Sequence, residues 1–250
     1  MNIFRYKQFD IVQEHAAMKV GTDSDLLGTL AAGGRHILDI GTGTGVLSLM
    51  MAQRFPEALI TAVEIDDNAV LDAQVNFEAS PFSERIRLIH TSFQDYLKEV
   101  YPGEQPTHDL TKHDTRKEGA RYDCVICNPP YFDKSLEPDD QGRLRARHTS
   151  SLPFSVLAQG AYRLLADGGV FSVCIPPEVL SSFNAECLFA GFSLKTLYQI
   201  KSLPHKAPKR YVVVHAKGHV ETPGTYEFCM RNADHSRSEW YKEQLRDFLL

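Results

Sequence analysis

The sequence predicts an α/β fold, a doubly wound and mostly parallel sheet of seven strands in which the last strand is antiparallel. Three observations predict it. Between residues 35 and 190, short apolar runs alternate with segments of helical period, as parallel strands joined by crossover helices require. A glycine-rich turn follows the first of these runs. The last two predicted strands are joined by a turn too short for a crossover, so they pair antiparallel.

The length of 250 residues suits one domain with a sizeable core, and we interpret residues 1–250 as that single domain. Apolar runs are too short to span a membrane, and the N-terminus does not resemble a signal peptide. The five cysteines are scattered through mostly apolar surroundings, which indicates reduced thiols in a cytoplasmic protein. Cys124 and Cys127 fall on opposite faces of a predicted strand, so we expect no metal.

The elements follow in order along the chain. Residues 1–34 are expected to close over the ligand, with a short helix in which Thr22 and Asp25 resemble a capping box. The predicted strands span residues 35–40, 58–64, 86–90, 122–127, 170–175, 193–200 and 211–216, with a short further strand near 226–230. The predicted helices span residues 44–54, 67–79, 152–166, 179–190 and 238–249. Residues 101–121 are polar without an apolar period, and we interpret them as a flexible insertion.

The first strand leads into the glycine turn, Gly41-Thr42-Gly43-Thr44-Gly45, which is followed by a helix. Glycines let a backbone approach a ligand, and the N–H groups at the start of the helix face that ligand. A dinucleotide site needs its third glycine at position 46, where this chain has Val46, which argues against a dehydrogenase. The spacing fits S-adenosylmethionine (SAM), which has no pyrophosphate. A purely structural turn is the alternative.

Polar and aromatic residues follow the second and third strands. An acid somewhat over 20 residues after the first glycine can accept hydrogen bonds from ribose hydroxyls. We assign that role to Glu64, at the strand tip, and a helix-capping role to Asp66; capping by both acids is the alternative. Ser92 and Phe93 follow the third strand and are expected beside the adenine of the cofactor.

The fourth strand ends at Asn128, which is followed by Pro129, Pro130 and Tyr131. Proline cannot donate to a strand ladder and holds the preceding residue extended, so Asn128 has little freedom. The Asn128 side-chain oxygen and the Pro129 carbonyl can accept hydrogen bonds from both N–H groups of an exocyclic amine. These two hydrogen bonds free the nitrogen lone pair for attack. The Tyr131 ring can stack on a flat base. The alternative is a proline-terminated strand with a surface turn.

The predicted site residues share one edge of the predicted sheet. Ligands of parallel α/β sheets bind beyond the carboxyl ends of the strands. Gly41, Glu64, Phe93 and Asn128 all follow such ends, so we expect one cleft in which a methyl donor faces an amine.

The net charge of −5 is distributed unevenly. From Lys195 to Lys217 the chain carries six cations and no acid, which leaves −11 for the rest. Arginines cluster again shortly after the Asn-Pro-Pro-Tyr stretch. Two basic clusters on an acidic chain indicate a local surface for phosphate, with an ordinary solvated surface as the alternative. The predicted RNA contacts are Arg143, Arg145, Arg147, Lys206, Lys209 and Arg210.

Taken together, these residues resemble the Rossmann-like class I SAM-dependent methyltransferases. More narrowly, the chain is similar to the bacterial valine-tRNA adenine-N6 methyltransferase family, which modifies the adenine beside the anticodon. The likeness covers nearly the whole chain, and Lys19-Val20-Gly21-Thr22-Asp23 is its most specific stretch. The matching stretches are Phe9, Ala17–Asp23, Leu26–Gly28, Ile37–Gly45, Val63–Asp66, Asn76–Phe77, Asn128–Phe132 and Ala146–Thr149.

The resemblance implies SAM as cofactor, tRNA as partner, and methylation of the N6 amine of adenine(37) in valine tRNA. Apart from the resemblance, we expect a monomer. Asn128 and Tyr131 would present the flipped adenine, and Thr22 would close over the methionine end of SAM. The family has an acid where this chain has Ser92, a weaker anchor for the cofactor adenine. The residues assigned to the cofactor are Thr22, Asp39, Gly41, Gly43, Gly45, Glu64, Ile65, Ser92, Phe93 and Asn128.

Other substrates and functions are open at this point. Asn-Pro-Pro-Tyr also occurs in methyltransferases of release-factor glutamine, DNA adenine and rRNA guanine, which all present a planar amide or amine. The basic clusters favour RNA over protein, and no separate DNA-recognition domain is evident. A non-catalytic RNA-binding protein on the same fold is the remaining alternative, although it would not need the glycine turn, Glu64 and Asn128 together.

Overall fold

The computed structural model describes residues 2–102, 122–129 and 152–249. In these ranges the strands are β1 Ile3–Arg5, β2 Asp10–Val12, β3 His36–Ile40, β4 Leu59–Glu64, β5 Ile86–His90, β6 Tyr122–Cys127, β7 Leu165–Ile175, β8 Ser193–Lys201, β9 Pro208–Ala216 and β10 Gly224–Cys229. The helices are α1 Thr22–Leu30, α2 Val46–Arg54, α3 Asp67–Glu78, α4 Phe93–Val100, α5 Phe154–Leu164, α6 Pro177–Phe189 and α7 Glu239–Leu245, with a 3₁₀ turn at Ser83–Arg85.

The main sheet has eight strands in the order β10-β8-β9-β7-β6-β3-β4-β5. Strands β3 to β7 are mutually parallel, and β9 is antiparallel to both β7 and β8. β10 is parallel to β8, so β9 is the one reversed strand of this sheet as described. The predicted doubly wound, mostly parallel sheet is confirmed, including the reversal of the seventh predicted strand. The strand count differs, because the short strand near 226–230 joins the sheet as β10.

Most predicted elements are confirmed to within a few residues, and the largest difference is the start of β7. The sequence predicted this strand from residue 170, whereas β7 begins at Leu165. Leu165 pairs with Tyr122 across an irregularity in the β6–β7 ladder, so the strand extends back through the glycines at 168 and 169. A helix that the sequence did not predict, α4, follows β5.

Each face of the sheet is covered by its own apolar cluster. One cluster joins the sheet to α1, α2 and α3, and the other joins it to α4, α5 and α6. Cys124 belongs to the first cluster and Cys127 to the second, so their predicted placement on opposite faces is confirmed. Burial raises the pKa of Cys124 to about 12 and that of Cys127 well above its ordinary value, so both thiols stay protonated.

The first residues of the chain form a hairpin that is fastened to α3. Strands β1 and β2 pair antiparallel. The Asn76 side chain accepts from the Val12 N–H at 2.7 Å and donates to the Val12 carbonyl at 2.8 Å. One turn earlier, Asp72 accepts from the N–H groups of His15 at 2.9 Å and Ala16 at 2.8 Å. The hairpin therefore depends on polar side chains that come about 60 residues later in the sequence.

The start of α1 differs from the predicted capping box. Gly21 is the N-cap residue, and no side chain caps the helix. The prediction of a capping box formed by Thr22 and Asp25 is therefore wrong. The buried Asp25 carboxylate instead accepts a hydrogen bond from the Tyr6 hydroxyl at 2.6 Å. Asp25 thus joins α1 to the N-terminal hairpin.

No helix in the described ranges is long and apolar enough to cross a membrane. Within the same ranges there is no group of three or more His, Cys, Asp or Glu side chains that suits a metal ion. The predicted flexible insertion at 101–121 lies, from residue 103 onward, outside the described residues.

Candidate active site

The carboxyl ends of neighbouring strands bring the predicted site residues together. The last residue of β3, Ile40, pairs with Cys127 of β6. Gly41 and Asn128 therefore leave adjacent strands, which lie about 4.8 Å apart in a sheet. Glu64 ends β4, on the other side of β3. One edge of the sheet thus carries the glycine turn, the acid and the start of the Asn-Pro-Pro-Tyr stretch.

The glycine turn uses left-handed backbone, with φ of 69° at Gly41, 59° at Gly43 and 83° at Gly45. A Cβ added at Gly41 or Gly43 would meet nothing within 4 Å, so the turn borders open space at both positions. A Cβ at Gly45 would clash with the ring of Phe77. Gly41 and Gly43 therefore border space for a ligand, whereas Gly45 allows α2 and α3 to pack closely.

The Glu64 carboxylate is held by three backbone N–H groups. Oε2 accepts from Gly43 at 2.8 Å, and Oε1 accepts from Ile65 at 2.8 Å and Asp66 at 2.9 Å. A carboxylate has about four acceptor positions, so about one remains for a hydroxyl donor. The Asp66 carboxylate accepts from the Ala69 N–H at 2.8 Å, which confirms its predicted role as the cap of α3.

Asp39 lies fully buried beneath the glycine turn. Its Oδ2 accepts hydrogen bonds from the hydroxyls of Thr42 at 2.6 Å and Ser48 at 2.7 Å. Its Oδ1 is buried and has no hydrogen-bond partner among the described residues. Burial raises the pKa of Asp39 to about 6, and the nearby charge of Glu64 adds to this effect. A buried acceptor without a donor is unfavourable, and a cationic ligand at the turn would compensate for it.

Ser92 is the N-cap of α4. Its hydroxyl oxygen accepts from the Asp95 N–H at 3.0 Å, and the hydroxyl donates to Asp95 Oδ2 at 2.7 Å. Phe93 is buried, and its ring lies against Gly160 of α5. What α4 offers to a ligand at this position is the N–H groups of its first turn. The Ser92-x-x-Asp95 spacing, which is typical of a helix start, could have predicted α4 from the sequence.

The remaining predicted site residues lie in different settings. Ile65 is 48% exposed beside Glu64, and Thr22 is exposed at the start of α1. Asn128 is half-buried and Pro129 is buried directly after β6. The predicted residues that lie outside the described ranges are Tyr131, Arg143, Arg145 and Arg147.

The predicted basic turn lies at the same edge of the sheet as the cleft. β8 runs in the direction of β3 to β7, so its carboxyl end and the turn at 202–207 reach that edge. Lys206 and Lys209 are exposed there. Arg210 differs, because its Nε donates to both carboxylate oxygens of Asp23 at 2.8 Å. This ion pair joins the start of β9 to α1.

The fold is that of known methyltransferases. A crystal structure of a predicted O-methyltransferase from Agrobacterium tumefaciens superposes with a TM-score of 0.64 at 20% identity, covering 90% of this chain and 96% of the other. The space beside Gly41 and Gly43, with the orphaned Asp39 oxygen, suits a positively charged nucleoside better than a pyrophosphate. The chain therefore has the fold of the class I SAM-dependent methyltransferases.

Relatives narrow this class to a family, since the tRNA1(Val) (adenine(37)-N6)-methyltransferase of Porphyromonas gingivalis is 39% identical over 215 residues, covering 84% of this chain and 78% of that protein. The chain belongs to the tRNA1(Val) (adenine(37)-N6)-methyltransferase family. The member from Tolumonas auensis is 36% identical over 251 residues, covering 99% of this chain and 96% of that protein. The model of the methyltransferase small domain matches residues 14–104.

Proposed function

We propose that the protein transfers the methyl group of SAM to the exocyclic N6 amine of adenine(37) in valine tRNA, the reaction for which its relatives are named. The observation that carries the proposal is the register of β3 and β6, which places Gly41 and Asn128 on adjacent strand ends. A methyl donor beside the turn and an amine at Asn128 would then face each other across one strand spacing. Alignment of this kind supplies much of the rate of a transfer reaction.

The residues at the cofactor end of the cleft bind and orient SAM. SAM, when bound, supplies an electrophilic methyl group on a sulfonium. The Asp39 carboxylate supplies a buried negative charge beneath the glycine turn, which favours a cationic ligand. Glu64, fixed by its three N–H donors, accepts from the ribose hydroxyls. Ile65 and the backbone N–H groups at the start of α4 border the cofactor adenine, while the Phe93 ring packs against α5.

The substrate end of the cleft activates the amine. The Asn128 side-chain oxygen and the Pro129 carbonyl accept hydrogen bonds from the two N–H groups of the amine. The nitrogen lone pair is then less delocalised into the adenine ring. Tyr131 stacks on the base, which leaves its helix most easily where the RNA is single-stranded. No general base is needed for attack, because the methylated nitrogen becomes acidic and releases its proton to water.

Cationic side chains hold the tRNA backbone. Lys206 and Lys209, exposed in and beside the turn at the cleft edge, contact phosphates of the anticodon arm together with Arg143, Arg145 and Arg147. Arg210 is already paired with Asp23 and contributes less. All of these groups come from one chain, so a monomer suffices, and tRNA as substrate places the protein in the cytoplasm.

The test is methyl transfer from labelled SAM to unmodified tRNA1(Val), with digestion and mass spectrometry to find the modified nucleoside. We expect N6-methyladenosine at position 37 and no transfer to a tRNA in which guanine replaces that adenine. DNA and release factor serve as competing substrates in parallel reactions. Transfer to release factor alone, or to no substrate while SAM is bound, would overturn the proposal.

A further inference from the structure

Four aromatic rings form a row across β8, β10 and α7, which we call the aromatic row. Tyr198 of β8 and Tyr226 of β10 are register partners, and their rings stack with centroids 5.6 Å apart. Tyr226 and Phe228 share one face of β10, with nearly parallel rings 6.4 Å apart. Phe228 stacks on Trp240 of α7 at 4.4 Å. The row runs along the outer end of the main sheet, beyond the reversed strand β9.

Packing within the protein accounts for two of the four rings but leaves the Tyr226 ring exposed. The contact between Phe228 and Trp240 fastens α7 to β10. Tyr226, however, is 50% exposed among the described residues, and Tyr198, Phe228 and Trp240 are each half-buried. The exposed ring of Tyr226, with three half-buried rings beside it, is therefore a candidate surface for another molecule.

The charges around the row indicate which kind of molecule binds. β8 and β10 run in the direction of β3 to β7, so the turns that follow them reach the edge of the sheet that holds the cleft. Residues 201–210 and 229–238 carry six cations and one acid, and one of these cations, Arg210, is paired with Asp23. The acid is Asp234, which accepts from the Ser236 hydroxyl at 2.6 Å. Glu227, on β10 itself, is paired with Lys201 at 2.8 Å.

The distance from the cleft also suits a nucleic-acid strand. Four strand spacings separate β10 from β6, the strand that carries Asn128. At about 4.8 Å per spacing, the aromatic row lies roughly 19 Å from the proposed position of the target adenine. A few nucleotides of a single strand cover this distance, passing over the exposed Lys206 and Lys209 on the way.

We propose that the aromatic row is a second RNA contact, on which unpaired bases of the substrate loop stack while the target adenine lies at Asn128. Aromatic faces beside cations are the combination by which proteins bind single-stranded RNA. Tyr226 and Tyr198 supply the stacking faces, and Lys206, Arg231 and Arg237 neutralise phosphates at the cleft end. The inference deepens the proposed function and rests on it, because the distance is measured from the strand that would present the adenine.

The experiment measures the Kd for the anticodon stem-loop RNA between about 50 and 200 mM salt. Tyr226→Ala should weaken binding roughly tenfold, within the range expected for one lost base stack. The slope of log Kd against log salt should stay unchanged, because the ring neutralises no phosphate. Tyr226→Phe should bind as the wild type does. Lys206→Ala, by contrast, should reduce the slope by about one.

The matched control is Phe189→Ala, which removes a ring that is 58% exposed at the end of α6, on the opposite edge of the sheet. This variant should bind the RNA as the wild type does. A wild-type Kd for folded Tyr226→Ala, or an equal loss in the Phe189→Ala variant, would overturn the aromatic row as an RNA contact. So would a wild-type dimer in sedimentation that Tyr226→Ala dissociates, because the row would then join two copies of the chain. If the wild type methylates tRNA1(Val) in any of these cases, the proposed function stands.

Discussion

Gly43 donates its backbone N–H to Glu64 Oε2 at 2.8 Å, so the glycine turn and the acid at the next strand tip form one unit. The same carboxylate accepts from two N–H groups that follow β4. The acid to which we assign ribose binding is therefore positioned before any ligand arrives, and a change at Glu64 also changes the turn.

We predict that Glu64→Gln weakens SAM binding at least tenfold. The glutamine amide has one oxygen where the carboxylate has two. Its NH₂ group must therefore face at least one of the three backbone N–H donors. A buried donor left unpaired costs about 1–3 kcal/mol. Calorimetric titration with SAM measures the loss. Glu57→Gln, at an exposed position before β4, is the control and should bind normally. Equal affinities for Glu64→Gln and the wild type would contradict the assignment.

Asn128→Ala should lower kcat by roughly 10²–10³-fold, the typical effect of losing one pre-placed polar group that acts on the transition state. The physical reason is the loss of one of the two acceptors that we propose free the amine lone pair. Single-turnover methylation of tRNA1(Val) gives the rate, and Gln74→Ala, at an exposed position of α3, is the control. Near-normal turnover by Asn128→Ala would remove this residue from the mechanism.

SAM binding should depend on pH through Asp39. Its pKa is raised from 3.8 to about 6 in the folded protein, so the carboxyl contributes stability that is present below about 3.8 and lost as the pH rises through about 6. A cationic cofactor favours the ionised form, so SAM affinity should rise with pH and level off above about 6. At pH 5 about one molecule in eleven is ionised, which predicts roughly tenfold weaker binding than on the plateau. The measurement is calorimetry across this range, with Asp39→Asn as the variant in which the dependence should vanish.

Removing the side chain that fastens the N-terminal hairpin should destabilise the protein. Asn76→Ala leaves the Val12 N–H and the carbonyls of Val12 and Thr44 without their partner. We expect the free energy of unfolding to fall by about 1–3 kcal/mol, measured by urea denaturation. For Gln74→Ala, at an exposed position of the same helix, the free energy of unfolding should fall by much less.

Arg210 should contribute less to RNA binding than its neighbour Lys209. The Arg210 guanidinium is held by Asp23, and both side chains are 25% exposed, so its charge is largely neutralised. Lys209→Ala should reduce the salt slope of tRNA binding by about one, whereas Arg210→Ala should leave it nearly unchanged. Equal reductions in both variants would show that tRNA displaces Asp23 from Arg210.

The parts of the fold that could be predicted from sequence are those specified locally. Buried parallel strands are apolar runs, and these runs predicted β3, β4 and β6. Gly41 directly after β3 and Asn128-Pro129 directly after β6 predicted the edge that the two strand ends share. Asp66 could be predicted as a cap because its partner, Ala69, lies three residues away.

The parts that could not be predicted depend on distant partners. The hairpin strands β1 and β2 have three residues each, too few for a period, and their position is set by Asn76. Arg210 reads as a free cation in the sequence because Asp23 lies 187 residues earlier. The strand near 226–230 was predicted, but its parallel pairing with β8 as β10 depends on a segment about 30 residues earlier, and neither segment reveals that pairing alone.

The order of the strands has a consequence for synthesis on the ribosome. β8 is made before β9, yet β9 lies between β7 and β8 in the finished sheet. β8 therefore has no neighbour to pair with until residues 208–216 have left the exit tunnel. A chain cut short before that point keeps an open edge on β7 and an unpaired strand beside it, and open edges of this kind recruit other chains.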